Sequence, residues 1–199
     1  DIDTDNAMSK DREFNALGAN VLATYSLDKQ NKVFAGVGTA SRVPDARELY
    51  LMGSGNQNLK QTTNNEIDVG YEAKTDALYF KAKAFYSMLS DYIYATKTGP
   101  STYTFNNVDA TVYGAEFSGS YYVLDNLSLD AGASYKRGEK DEAIAGQTDK
   151  DLADMAPLRG KVGVTYEYAK NSMAMMEILM SDKWDNYDSN NGEQELAGW

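Results

Sequence analysis

The stretch "EKDEAIAGQTDKDLAD", residues 139–154, holds the side chains with the plainest capacity for chemistry. The carboxylates of Asp141, Glu142, Asp149, Asp151 and Asp154 are hard oxygen donors. Such donors suit divalent cations such as Ca²⁺, which also bridge acidic surfaces to lipopolysaccharide phosphates. A second acidic run contributes Asp185, Asp188, Glu193 and Glu195. Neither run has the EF-hand spacing of alternating acids, a central Gly and a closing Glu, so a solvated acidic surface competes with a cation site. A softer donor set is Met173, Met175, Met176 and Met180, thioethers of the kind that take copper. A strand would send Met176 and Met180 to one face and Met173 and Met175 to the other, where packing alone accounts for them.

Other chemistries are closed off by composition. The 199 residues include no Cys and no His, which removes disulfides, thiolate sites, the commonest metal ligand and the usual general base. Catalytic triads of the usual kind cannot be assembled, and no enzyme activity or cofactor is expected. A formal charge of −11 gives no basic surface for phosphates, so nucleic acid is excluded as a partner. The first residues, "DIDTDNAMSK", do not form a signal peptide, so any targeting segment is expected to lie upstream or to have been removed.

The elements that must position these residues are strands. Leu17–Leu27 and Leu127–Lys136 alternate apolar and polar residues, as do residues 66–74 and 158–168. Residues 32–41, 77–95, 104–123 and 172–184 are strand-like with weaker alternation. That makes eight strands, several of ten residues or more, whereas tilted membrane strands need about 9–11. "PDAREL" at 44–49 offers one helical turn. No run of eighteen apolar residues is present, and barrel strands do not need one.

The corners alternate without exception. Short ones (28–31, 75–76, 124–126, 170–171) interleave with long ones (42–62, 96–103, 139–156, 185 onward). Antiparallel strands therefore place every short turn at one end and every long loop at the other, the asymmetry of an outer-membrane barrel. Apolar faces such as Leu17 to Leu27, Leu78 to Tyr86 and Tyr113 to Val123 would meet lipid. Lys81, Lys83, Glu116, Asp130, Lys136, Arg159 and Lys161 would meet a wet lumen or whatever fills it, with Glu116 bonded to a Lys or Arg of a neighbouring strand. Tyr25, Tyr86, Tyr92, Tyr135, Tyr166 and Trp184 fall where aromatic girdles belong. The same alternation would fit a soluble barrel with an apolar interior. Both chain ends fall at the long-loop end, and Trp199 is expected to open a ninth strand, so the chain reads as a fragment of a larger barrel.

"SRVPDARELY" followed by "GNQNLKQTTNNEIDVGYE" resembles the outer loop and returning strand of TonB-dependent outer-membrane receptors. Arg42, Pro44, Glu48, Leu49 and Tyr50 match the first part of that pattern. Gly55, Asn56, Asn58 and Leu59 match the second, and Asn65, Asp68, Gly70 and Glu72 the third. Gln57 stands where the family usually has Pro, and "KQTTN" lacks its Pro-Glu. "FYSMLSDYIY", "NNVDATVYGAEFS" and "APLRGKVGVTYEY" resemble later elements in the family's order.

The resemblance implies an all-β, antiparallel transmembrane barrel of 22 strands, of which residues 1–199 would supply eight as an up-and-down meander. The plug domain and final strands would lie outside the chain. It also implies active uptake of a scarce ligand, such as an iron–siderophore or other metal chelate, captured by outer loops. Outer-membrane lipid and lipopolysaccharide would surround it, and the TonB energy-coupling complex would act through a region upstream. Position at the outer face and aromatic or charged character single out Arg47, Glu48, Tyr50, Asn56, Tyr103 and Tyr187 for ligand contact. A self-contained eight-stranded outer-membrane barrel with a structural or adhesive role is the alternative.

Overall fold

The computed structural model describes residues 12–199. Among them, eight strands form one antiparallel sheet in chain order: β1 (Gly18–Ser26), β2 (Asn31–Arg42), β3 (Thr62–Lys74), β4 (Leu78–Lys97), β5 (Tyr103–Leu124), β6 (Leu127–Lys140), β7 (Arg159–Ala169) and β8 (Ser172–Ser181). Each hydrogen-bonds only to its chain neighbours, so this is an up-and-down meander. The one α-helix among the described residues, α1 (Ala46–Tyr50), is the single turn expected from "PDAREL".

Register turns the sequence alternation into two continuous faces. Val21, Val37, Ile67, Tyr86 and Tyr113 lie side by side across five strands, and Ala35, Val69, Ala84, Ala115 and Tyr135 form a parallel row. Farther along, Leu129, Val164 and Met176 carry the apolar surface to the last strand. Most of these side chains are exposed rather than buried, with Val21 at 69% and Val69 at 51%, and Tyr113 and Val164 are half-buried. An apolar surface of this extent is stable only against lipid or another apolar phase. On β5, Tyr113 and Tyr121 bound this belt, and eight residues at about 3.3 Å, tilted about 40°, span roughly 20 Å.

The opposite face is charged and self-neutralising. Lys83 pairs with Asp68 at 2.7 Å, Lys32 with Glu72 at 2.9 Å and Lys161 with Glu177 at 3.0 Å. Gly70 is required here by close approach: a Cβ at that position would lie 2.1 Å from Phe34 Cζ, because the Phe34 ring lies over it. Glu116 departs from its expected pairing. It faces Lys83 across the β4–β5 ladder, but Lys83 is taken by Asp68 from the other side, and Glu116 has no ion pair among the described residues.

The outer end departs from expectation in one instructive way. The corner expected over 96–103 is only five residues long, 98–102, since β4 and β5 run to 20 and 22 residues. Its length has gone into a hairpin that projects past the other strands. A bulge between Leu89 and Tyr92, with Asp91 at φ 51°, re-aims β4 at the base of the projection. The two faces of the hairpin each carry a small core. Ile93 and Phe105 pack under Leu49 and Leu59 of the 43–61 loop, while Tyr94, Ala110 and Val108 pack with Leu152 of the 141–158 loop. Tyr92 therefore belongs to a core rather than to the girdle expected for it, and Trp184 packs edge-on against Tyr187. Past β8 the chain turns back: Ser181 and Trp199 exchange backbone hydrogen bonds of 2.8 and 3.0 Å, and Trp184 bridges Leu196. Trp199 thus lies alongside the end of β8 and belongs to no strand among the described residues.

Candidate functional site

The residues singled out for ligand contact come from three pieces of the outer end. The 43–61 loop holds four of them. Asp45 caps α1 by accepting from the Glu48 N–H at 2.8 Å, and the Glu48 carboxylate accepts the Asp45 N–H in return, a reciprocal capping box. The same carboxylate takes both guanidinium nitrogens of Arg42 at 2.9 Å. Glu48 is therefore committed to holding the loop. So is Asn56, which donates to the Phe105 carbonyl at 2.8 Å, accepts from the Asn58 N–H at 2.9 Å, and donates its own N–H to the Glu48 carbonyl at 2.8 Å. Arg12 ties the loop from the other side, donating to the carbonyls of Gln57 and Leu59 at 2.6 and 2.7 Å. Arg47 and Tyr50 stay exposed on α1, and Tyr103 is 41% exposed at the top of the hairpin. Tyr187 lies half-buried on the far side. The structure thus joins Glu48 to Asn56 and leaves Tyr103 and Tyr187 on separate elements.

The acidic candidates are likewise drawn into loop architecture. The Asp149 carboxylate accepts from the Ser189 N–H at 2.9 Å, from the Ser189 hydroxyl, and from the Asp151 N–H at 2.9 Å. Asp151 pairs with Arg137 at 3.1 Å, and Asp141 meets the Thr111 hydroxyl at 3.3 Å. Asp154, at φ 61°, donates its N–H to Glu193, and Glu142 is exposed. Among the described residues no three carboxylates converge in a way that could hold a metal ion.

The residue that organises this half of the outer end was hidden in the sequence. Lys140, at 1% exposure, ion-pairs with Asp188, also at 1%, at 2.7 Å. The Lys140 ammonium also donates to the Asp151 carbonyl at 2.7 Å and sits 4.9 Å from the Tyr94 ring centre. Tyr94 donates its hydroxyl to Asp188 and accepts from the Ala153 N–H at 3.0 Å. Asp188 in turn caps the turn at Ser189–Asn191 by accepting from the Asn190 N–H. One buried pair therefore fastens the 141–158 loop and the 182–199 segment to the projecting hairpin. Lys140 stands in the run "KRGEKDEA", where nothing local distinguishes it from its exposed neighbours; its burial needs two loops that are distant in sequence.

The loop contact carries an expected pH dependence. Burial pushes the Asp149 carboxyl up, but the bonds from Ser189 and Asp151 outweigh it and hold the group below the usual carboxylate range. A carboxyl lowered by folding stabilises the fold above its ordinary value, and that stabilisation is lost as pH falls through the lowered one. Asp151 works the other way: burial, then the charges of Asp149 and Glu139, raise it against the opposing Arg137, so protonation relieves rather than loosens it. Trp184 emission, followed from neutral pH to below about pH 4, should report release of the 182–199 segment. Asp149→Asn should shift that acid transition; an unshifted midpoint would show that another group controls it.

The comparisons fit this architecture. Over residues 1–198 the chain matches the family described as TonB dependent receptor-like, beta-barrel. The chain belongs to this family. Its fold is similar to that of the copper transporter OprC, at 24% identity and a TM-score of 0.78, covering 90% of this chain and 29% of that one. It is also similar to the siderophore receptor PirA from Pseudomonas aeruginosa (16%, TM-score 0.65, 82% and 30% covered). The FrpB iron transporter from Neisseria meningitidis, F3-3 variant, gives 13%, a TM-score of 0.69, and 92% and 30% covered. The chain spans about 30% of the length of these solved relatives. No curated protein matches it. As a TonB-dependent receptor barrel it is a protein of the bacterial outer membrane, which makes the exposed apolar belt its lipid face and the charged face its lumenal wall.

Proposed function

We propose that this chain is part of a receptor for active uptake of a scarce metal chelate, an iron–siderophore complex or a copper species, across the outer membrane. The observation that carries this is the outer end: loops built on a projecting hairpin, two of them fastened to its lumenal side, over a membrane-spanning wall of this family. TonB-dependent receptors are transporters, and the solved relatives include copper, siderophore and iron proteins, which supports a metal-bearing cargo. Arg47, Tyr50 and Tyr103, the candidates left exposed, would make ligand contacts, while Glu48 and Asn56 would hold the platform. We also take residues 1–199 as one portion of a larger barrel whose plug and remaining strands lie elsewhere in the polypeptide. That reading agrees with the 30% coverage of the relatives and with β1, whose only ladder among the described residues is with β2. Coupling to an inner-membrane TonB complex would act through that other region. The test is uptake of radiolabelled copper and ferric chelates by cells with and without the native protein. At least one should accumulate only when the protein is present and energy coupling is intact. Equal accumulation of all of them in both strains would overturn the reading.

A further inference from the structure

The outer end is fastened by a lysine and an aspartate that water does not reach. The Lys140 side chain is 0% exposed and that of Asp188 1%, and Lys140 Nζ lies 2.7 Å from Asp188 Oδ2. Leu152, Ala110 and the Tyr94 ring, all buried, surround the pair with apolar atoms. The 199 residues include no Cys, so they offer no disulfide to tie these loops, and the pair joins positions 48 residues apart. A buried lysine held against a buried carboxyl is also an amine nitrogen held one bond away from a carboxyl carbon.

The contacts of the Asp188 carboxyl divide its two oxygens between different tasks. Oδ2 accepts from Lys140 Nζ and from the Tyr94 hydroxyl. Oδ1 accepts the backbone N–H of Asn190 at 3.0 Å. Lys140 Nζ is steadied by donating to the Asp151 carbonyl at 2.7 Å, and the Asp188 backbone by donating its N–H to Glu193 at 2.8 Å. Burial, then the bond to Asp188, raise the Tyr94 hydroxyl far above its ordinary value, so it stays protonated and able to donate.

We propose that Lys140 and Asp188 condense spontaneously into an isopeptide bond, Nζ to Cγ, with loss of one water. One ammonium proton passes along the 2.7 Å contact to Oδ2, leaving an amine and a carboxylic acid. A site without water penalises the two ions and not this neutral pair. The nitrogen attacks Cγ, and the negative charge that develops on Oδ1 meets the Asn190 N–H, as in an oxyanion hole. The Tyr94 hydroxyl gives its proton to Oδ2 and recovers one from the nitrogen, the Cγ–Oδ2 bond breaks, and water leaves. The last ammonium proton stays on the amide nitrogen. An ammonium and a carboxylate have thus become an amide and a water, with no oxidant, reductant or cofactor. Groups oriented in this way react as though present at about 10⁵ M or more, which lets an amide form without an activated acid. The ion pair holds the loops before condensation, and the bond makes that fastening permanent. This inference rests on packing at the outer end and not on which cargo is transported.

Peptide mass spectrometry reads the bond. Native protein is purified from outer membranes in detergent, shown to be folded by heat-modifiable gel migration, then denatured and digested with trypsin. Trypsin does not cut after an acylated lysine. Residues 138–150 should therefore stay in one piece, joined to the peptide that begins at Trp184, and the product should be lighter than the two together by one water. Fragmentation should place the link at Lys140 and Asp188. Lys140→Arg keeps a cation at the site but removes the amine, and should give linear peptides only. Tyr94→Phe keeps the ring and removes the proton donor; positioned donors contribute about a hundredfold or more to rate, so the linked fraction soon after synthesis should fall at least about tenfold. Linear peptides alone from folded native protein overturn the proposal. So does a link that survives in Lys140→Arg, or an unchanged linked fraction in Tyr94→Phe. The mass is read without uptake, so this bond and the transport reading can fail separately.

Discussion

Lys140→Met should free the 141–158 loop and the 182–199 segment from the hairpin while leaving the membrane wall folded. The reason is the asymmetry of buried ion pairs. Asp188, at 1% exposure, would keep its charge with no cation to meet it, and removing one partner of such a pair costs about 3–5 kcal/mol. The Asp151 carbonyl and the Tyr94 ring would lose their contact with the ammonium in the same step. Amide hydrogen exchange reads the outcome directly. The N–H groups of Ala153 and Asn190, which donate to Tyr94 and Asp188, should lose about a hundredfold to a thousandfold of their protection. Amides of the β2–β3 ladder should be unchanged. The double change Lys140→Met/Asp188→Asn removes both charges yet keeps an oxygen acceptor for the Asn190 N–H, so it should recover much of the loss. Unaltered protection at Ala153 and Asn190 in the single variant would mean that the loops are held by their apolar contacts instead.

The second large effect contrasts two adjacent residues. Ala23 and Thr24 are neighbours on β1, paired with Ala35 and Phe34 respectively, and so lie on opposite faces of the sheet at the same depth. Ala23→Arg would place a guanidinium against hydrocarbon, at a cost of about 2–4 kcal/mol near the bilayer midplane. Thr24→Arg would place it among the charged residues of the lumenal wall, where water and neighbouring carboxylates meet it at little cost. Folded barrel in outer membranes, measured by heat-modifiable migration, should fall several-fold for the first variant and stay near the native amount for the second. Equal losses would mean that the two faces do not meet lipid and water as assigned.

How far the residues themselves reached can be seen along β3 and β4. Ile67, Val69 and Tyr71 alternate with Asp68, Gly70 and Glu72, and side chains in a strand point to opposite faces by geometry alone, so strand and face were local information, whereas the lipid contact of the apolar face was not, since the same alternation fits a soluble barrel. The short corners were local too, and antiparallel pairing across them determined the up-and-down order. The turn at α1 could be read from Asp45 and Glu48, since a capping box spans only four residues.

What the tertiary structure alone decided is who meets whom at the outer end and across the wall. The length expected in the 96–103 loop became ladder, because the hairpin gains cores from distant loops on both faces, as Ile93 and Tyr94 show. Glu48 and Asn56 were legible as loop residues but not as structural ones, since their commitments depend on Arg42 and on Phe105. Lys83 pairs with Asp68, which lies diagonally across the β3–β4 ladder, rather than with Glu116, its direct partner across the β4–β5 ladder. Lys140 and Asp188 lie 48 residues apart in runs that look solvated. Alternation fixes the direction in which a side chain points; burial of a charge depends on what arrives from elsewhere in the chain, and no local pattern encodes that.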